Sequence, residues 1–222
     1  MSFDRLRCTT LDYDRLYARW LDRPGNLLDI AGYEPGQRLL DLCGGTGAVS
    51  LEALRRGADP STITLLDLNP RCPDTRIEQV AGDVDRLGET AFGERQPQYL
   101  RRYDIIVIRQ AAAYLEWNIY MLLWLEALLR PTGKLVFNTF AKPRWSLKTY
   151  LFKGVRYYEG SAYCGMTVWH VQAAPSIGVD VTRFHHIPKE DLLPKLERVF
   201  NVTVIEDGKS LRWVCTPKKR SS

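Results

Sequence analysis

The chain has 222 residues, 45% hydrophobic and 26% charged, enough to bury one sizeable α/β core without a disulfide framework or a structural metal. Its five cysteines, Cys8, Cys43, Cys72, Cys164 and Cys215, are odd in number and widely spaced, which argues against a C-x-x-C metal site, and no apolar run reaches the length of a membrane span. The net charge of +5 comes partly from Lys218-Lys-Arg220 and does not by itself demand an anionic partner. The expectation is one domain over residues 1–222, with no metal and no membrane partner. The opening Met-Ser-Phe-Asp-Arg-Leu-Arg-Cys8 lacks a signal-peptide core, so a reducing, cytoplasmic location is expected.

In chain order, Tyr13, Leu16, Tyr17 and Trp20 recur at helical spacing and predict an amphipathic helix over the core. Pro24-Gly25 breaks it, a short helix follows over Asn26 to Ala31, and residues 1–36 together read as a helical cap. Arg38 to Leu42 is a short apolar strand. It runs into Cys43-Gly-Gly-Thr-Gly47 and then a helix from Ala48 to Arg56, a junction that offers unpaired N–H groups to a ligand. Thr62 to Asp67 is a buried-type strand ending in a carboxylate, and the two prolines of Leu68 to Thr75 leave no room for a crossover helix. Arg76 to Ala81 is the third strand and Glu89 to Arg102 a polar connection. Tyr103 to Arg109 is the fourth strand, Trp117 to Leu129 a helix, and Lys134 to Phe140 the fifth strand. Residues 141–188 are rich in aromatic side chains, with strands expected over Thr167–Val171 and Val179–Phe184. Residues 189–222 close the chain with a helix over Lys189–Phe200 and a hairpin around Asp207-Gly208.

Alternation of strand and helix predicts a parallel sheet whose ligands gather at the carboxyl ends, where Asp41, Asp67 and Asp83 would lie. Gly45-Thr-Gly47-Ala-Val-Ser50, with Asp67 beyond it, also fits a dinucleotide fingerprint, which is a weak signal alone. With its carboxylate, Asp41-Leu-Cys-Gly-Gly-Thr-Gly47 resembles motif I of the class I S-adenosylmethionine (SAM)-dependent methyltransferases, D/E-x-G-x-G-x-G, Cys43 standing for the first glycine. Leu128-Leu-Arg-Pro-Thr-Gly-Lys-Leu-Val136 resembles that family's entry to the fifth strand. The resemblance covers residues 37–140 and implies a three-layer, Rossmann-like, seven-stranded, mostly parallel sheet with an antiparallel last strand.

It further implies SAM as cofactor and S-adenosylhomocysteine (SAH) as product. Asp41, Cys43, Gly44, Gly45 and Gly47 would form the cradle, with Asp41 suiting the ammonium of the methionine moiety. Asp67 would take the ribose hydroxyls with Leu68 beside it, and its rival role is to cap the Leu68-Asn-Pro70 turn. Asp83 would take the adenine amino group, Val84 donating its backbone N–H, with Asp85 as the rival carboxylate. Arg109, Gln110 and Tyr13 complete the cofactor set, and Tyr114 is a further candidate to shape the pocket.

Methyl transfer is an in-line displacement on an already activated carbon, so positioning supplies much of the acceleration, and a base is needed only for an acceptor that must lose a proton. Base candidates are His170, His185 and His186, with Tyr17 as a shaper of the pocket. The segment Ile108-Arg-Gln-Ala-Ala-Ala113 lacks the D/N-P-P-aromatic motif of base amino methylation, and no Pro-Cys nucleophile occurs, which demotes nucleic acid without excluding it. The reading favoured is methyl transfer to an oxygen or nitrogen of a small-molecule metabolite, with residues 141–188 covering the acceptor. The alternatives are an RNA methyltransferase, a SAM-binding protein without catalysis, a nicotinamide-binding dehydrogenase and, for the aromatic insert, a homodimer interface.

Overall fold

The computed structural model describes residues 22–89, 97–112, 115–140, 146–152, 155–164, 167–174, 178–185, 187–207 and 210–219; from 140 to 185 the description is of the backbone alone. The helix expected over Leu11 to Trp20 lies outside these residues. The first described element is α1 (Pro24–Ala31). Pro24 opens this helix, because at the first helical position its missing N–H costs nothing and its fixed φ suits the turn.

A parallel sheet forms from β1 (Leu39–Leu42), β2 (Ile63–Asp67), β3 (Glu78–Ala81), β4 (Tyr103–Ile108) and β5 (Leu129–Phe140), and is completed by β10 (Phe200–Asp207) and β11 (Ser210–Pro217). The seven strands lie in the order β10-β11-β5-β4-β1-β2-β3. β1 pairs in parallel with β2 and β4, while β11 runs antiparallel to both β5 and β10. This is the α/β, Rossmann-like sheet with an antiparallel last strand that the sequence predicts. The strand order reverses between β1 and β4, the switch point at whose carboxyl ends such sheets hold their ligands.

Each inner strand is apolar on both sides, and alternate residues feed two cores. Leu40, Leu42, Ile106, Ile108 and Phe137 pack on the side of α3 (Ile119–Leu128) and α4 (Lys189–Leu196). Leu39, Ile105, Val107 and Val136 pack on the side of α1 and α2 (Ala48–Arg55). Trp117, Phe137 and Trp213 stack beneath the carboxyl ends of β4 and β5, with ring centroids 4.6 and 5.6 Å apart. Their indole N–H groups donate to Ala112 O at 2.7 Å and Thr139 Oγ1 at 2.9 Å, which ties the turn after β4 to a rigid floor.

Several boundaries differ from those read in the sequence, for local reasons. α3 starts at Ile119 because Asn118 is its cap, Oδ1 accepting from Met121 N at 2.9 Å. β3 starts at Glu78 because Arg76 is folded back on Asp74 in the preceding turn. α4 stops at Leu196 rather than running to Phe200, since Phe200 is fully buried and already paired with Pro217 in the hairpin.

Residues 141–188 contain a second sheet, an antiparallel meander of β6 (Ser146–Phe152), β7 (Val155–Cys164), β8 (Thr167–Ala174) and β9 (Gly178–His185) in that order. The two strands expected there are β8 and β9, and β6 and β7 are additional. Among the described residues no helix is long and apolar enough to cross a membrane.

Candidate active site

Asp41, on β1, is 1% exposed, and its Oδ2 accepts from Ser50 N at 3.0 Å and Ser50 Oγ at 2.8 Å. The cap position of α2 is Gly47, which has no side chain to offer, so Asp41 reaches across and takes an N–H of the first helical turn. Its Oδ1 is buried with no partner among the described residues. Burial pushes the Asp41 carboxyl up to about 6; the Ser50 bonds and the charge of Arg109 oppose the shift, and Asp67 adds to it.

The sign of the linkage follows. A carboxyl with a folded value of about 6 against an ordinary 3.8 holds its proton more tightly when folded, so its contribution to stability is complete below about pH 4 and is lost as pH rises through 6. Asp41→Asn keeps an acceptor for Ser50 and removes the titration. The melting temperature of this variant relative to wild type should therefore climb between about pH 4 and 6 and then level. A difference independent of pH, in thermal melts without ligand, would contradict the assignment.

The loop after β1 is held by three left-handed residues, Cys43 (φ 56), Gly45 (φ 52) and Gly47 (φ 77). A Cβ on Gly44 would meet Asp41 Cγ and Leu65 Cγ at 2.8 Å, and one on Gly47 would meet Cys72 Sγ at 2.6 Å. These two glycines therefore serve packing against the protein itself. Gly45 differs, since the nearest atom to its added Cβ is Asp67 Oδ2 at 4.0 Å, leaving that side of the loop open for a ligand to approach. Burial pushes the Cys43 thiol well up, reinforced by Asp67, Asp85, Asp41 and Asp83, so it remains a thiol at neutral pH and not a nucleophile.

Asp67 closes β2, and of its two expected roles the turn cap is made within the protein. Oδ2 accepts from Gly45 N at 3.0 Å and Oδ1 from Asn69 N at 2.8 Å, so the carboxylate braces the glycine loop and caps the following turn. Each oxygen keeps a second lone pair for a ligand. The helix-free crossover is laced to the same loop: Arg71 N donates to Gly45 O at 2.8 Å, and Gln79 bonds Cys72 N and O, both at 3.0 Å. Leu68, beside Asp67, is 47% exposed.

After β3, Asp83 Oδ1 accepts from Asp85 N at 3.1 Å and Val84 is buried at the start of a short 3-10 segment. Asp85 accepts from Glu116 N at 2.9 Å and so fixes the chain entering α3. Both rival carboxylates thus accept backbone N–H bonds in this segment.

At the ends of β4 and β5, Gln110 has a left-handed backbone (φ 62) and its N–H donates to Asn138 Oδ1 at 2.9 Å. That bond fixes which way the Asn138 amide points. The amide nitrogens Gln110 Nε2 and Asn138 Nδ2 are then both buried without a partner among the described residues, Asn138 being 2% exposed. Arg109 Nε donates to Asp22 O at 2.8 Å, while the Asp22 carboxylate is gripped by Arg212 at 2.7 and 3.1 Å and by Asn26 at 2.8 Å. Asp22, Arg212 and Ser50 went unread in the sequence, because each works through a partner that only the fold brings near.

Tyr13, Tyr17, Tyr114 and His186 lie outside the described residues. His170 is on β8, paired with Ser161 and Thr182, and His185 ends β9, paired with Thr167; their side chains are outside the description.

The geometry is that of a polar ligand site on a Rossmann-like sheet, and a family model described as a methyltransferase domain matches residues 12–177. The chain belongs to the methyltransferase-domain family. Its sheet has the Rossmann-like fold of solved SAM-dependent methyltransferases. The ubiquinone/menaquinone biosynthesis C-methyltransferase UbiE of Teredinibacter turnerae is 27% identical over 124 residues, 54% of this chain and 49% of the relative. The methyltransferase thus spans about half the length of the curated relatives it matches. A SAM-dependent methyltransferase from Clostridium acetobutylicum superposes with a TM-score of 0.61 at 13% identity, over 97% of this chain and 100% of the other. The 1,6-didemethyltoxoflavin-N1-methyltransferase of Burkholderia thailandensis, solved with SAH, gives 0.55 at 16%, over 99% and 92%. At these identities the two structures establish the fold.

Proposed function

We propose that this methyltransferase moves the methyl group of SAM to an oxygen or nitrogen of a small-molecule acceptor at the carboxyl ends of β1, β4 and β5. The observation that carries the location is a set of three buried polar atoms without a partner among the described residues, Asp41 Oδ1, Gln110 Nε2 and Asn138 Nδ2, on three adjacent strand ends. Buried polar groups are almost always paired, so an unpaired set beside a glycine loop marks a place that a polar ligand completes. In this reading Asp67 holds the ribose, Asp83 and the Val84 N–H hold the adenine, and Gly44, Gly45 and Gly47 shape the loop around the cofactor beside Cys43. Arg109, Gln110 and Tyr13 flank the methionine end.

When bound, the cofactor supplies a methyl group on a positively charged sulfur, and the protein's task is to align an acceptor lone pair with it. The carboxylates near Cys43, Asp41, Asp67, Asp83 and Asp85, give that region a negative field suited to a cationic cofactor. Residues 141–188 are proposed to cover the acceptor, with His170, His185 or His186 taking its proton where it has one. Tyr17 shapes the same pocket.

A carbon acceptor is the second reading, favoured because the curated relatives are named as C-methyltransferases. The turn after β4, Arg109-Gln110 with no proline, supports a small molecule over an extruded base. Incubation with methyl-labelled SAM and a panel of phenols, amines, quinols and RNA, followed by mass spectrometry and NMR of the product, tests the reading. Label on oxygen or nitrogen of a small molecule is expected. Label on ring carbon would establish the second reading, label in RNA would overturn both, and SAH binding with no labelled product across the panel would favour a cofactor-binding protein without catalysis.

A further inference from the structure

The three unpartnered atoms differ in kind: Asp41 Oδ1 is an acceptor, whereas Gln110 Nε2 and Asn138 Nδ2 are donors. We infer that the Gln110 and Asn138 side-chain amides form a two-donor seat for the α-carboxylate of the cofactor's amino-acid end, opposite an Asp41 that accepts from its ammonium. This inference rests on the SAM reading above and assigns the carboxylate subsite within it.

The sheet register places the groups together. Asp41 pairs with Val107 and Val107 with Val136, so all three share one face, and Asn138, two residues beyond Val136, returns to that face at the carboxyl end. β1 and β5 flank β4 and are therefore about 10 Å apart, a gap that two short side chains and the head of an α-amino acid together can span. Gln110 lies between them in the strand order, just past the end of β4.

The Asn138 amide is also fixed in advance. The Gln110 N–H to Asn138 Oδ1 bond turns Asn138 Nδ2 away from the backbone, and it is made possible by the left-handed φ of 62 at Gln110. A non-glycine residue held in that region is strained and persists where its surroundings require it. Thr139, the next residue on β5, is already engaged by Trp213 Nε1 at 2.9 Å. Arg109 adds positive charge close enough to act on Asp41.

The test uses the full chain, calorimetry and two probes, SAH and its decarboxylated analogue, which keeps the amine and lacks the carboxylate. Asn138→Asp is the informative variant, because it keeps the acceptor that Gln110 N needs and replaces only the donor. It should weaken SAH by about 10- to 100-fold, as loss of a hydrogen bond to a charged group does. The decarboxylated analogue should bind it no worse than it binds wild type. Gln110→Leu should show the same selective loss, and it carries the comparison alone if Asn138→Asp does not fold. Equal losses for both probes, or none for SAH, would overturn the inference while leaving the cofactor reading standing, and would assign the two amides to an oxygen of the acceptor instead. Wild-type protein that binds no SAH at all would overturn both.

Discussion

Replacing Gly47 by valine is expected to destabilise the fold by about 3 kcal/mol or more, with loss of ligand binding as a consequence. A Cβ at this position would sit 2.6 Å from Cys72 Sγ, 2.9 Å from Cys72 Cβ and 3.2 Å from Leu65 Cδ1, all buried and none at the end of a long side chain. The φ of 77 adds a backbone strain that a β-branched residue cannot relieve. From the sequence alone, Gly47 reads as a point of close approach to the ligand, which would leave a folded variant that fails to bind. The structure locates the conflict inside the protein, between the glycine loop and the helix-free crossover. For a chain of this size the loss corresponds to a fall of roughly 6–12 °C in Tm. A thermal melt showing an unchanged Tm would contradict it. Gly47→Ala combined with Cys72→Ala should recover part of the loss, since it removes the nearest obstacle, Cys72 Sγ, and leaves the close approach of the Cβ at position 72 together with the backbone strain.

Asp67→Ala carries the second large effect, on binding. Its two oxygens accept from Gly45 N and Asn69 N, and their remaining lone pairs face the end of β2, where the ribose is proposed to lie. Removing the carboxylate abolishes the charge-assisted bonds and frees the loop that positions Gly45. SAH affinity should fall by about 2–3 kcal/mol. Asp67→Asn, which keeps one acceptor oxygen, should lose less. Calorimetric affinities equal to wild type in both variants would remove Asp67 from the site.

Much of the fold was legible because it rests on local pattern. Leu39 to Leu42 and Tyr103 to Ile108 are apolar on both sides, which only a sheet covered on two faces accommodates, and the Pro-rich segment after Asp67 could not be helical. What the sequence hid is of two kinds. Helix ends depend on tertiary pull, so Phe200 left the helix for the hairpin once its ring had a core to enter. Long-range polar pairs leave no periodic trace: Asp22 and Arg212 meet across nearly the whole chain, and Asp41 serves as a remote cap for α2. Even Asn138, visibly near the end of β5, could not be read as a fixed donor until its oxygen was seen to be occupied by Gln110 N. The aromatic insert gave strands to the sequence reading only at β8 and β9, since Ser146–Phe152 and Val155–Cys164 carry no clean alternation.

The carboxyl ends of β1, β2 and β4 to β5 are proposed to form one SAM site rather than a nicotinamide site. Titration calorimetry of the full chain with SAH, and separately with NAD, tests it most directly. Saturable one-to-one binding of SAH and no heat from NAD are expected; saturable binding of NAD with no response to SAH would overturn the SAM assignment.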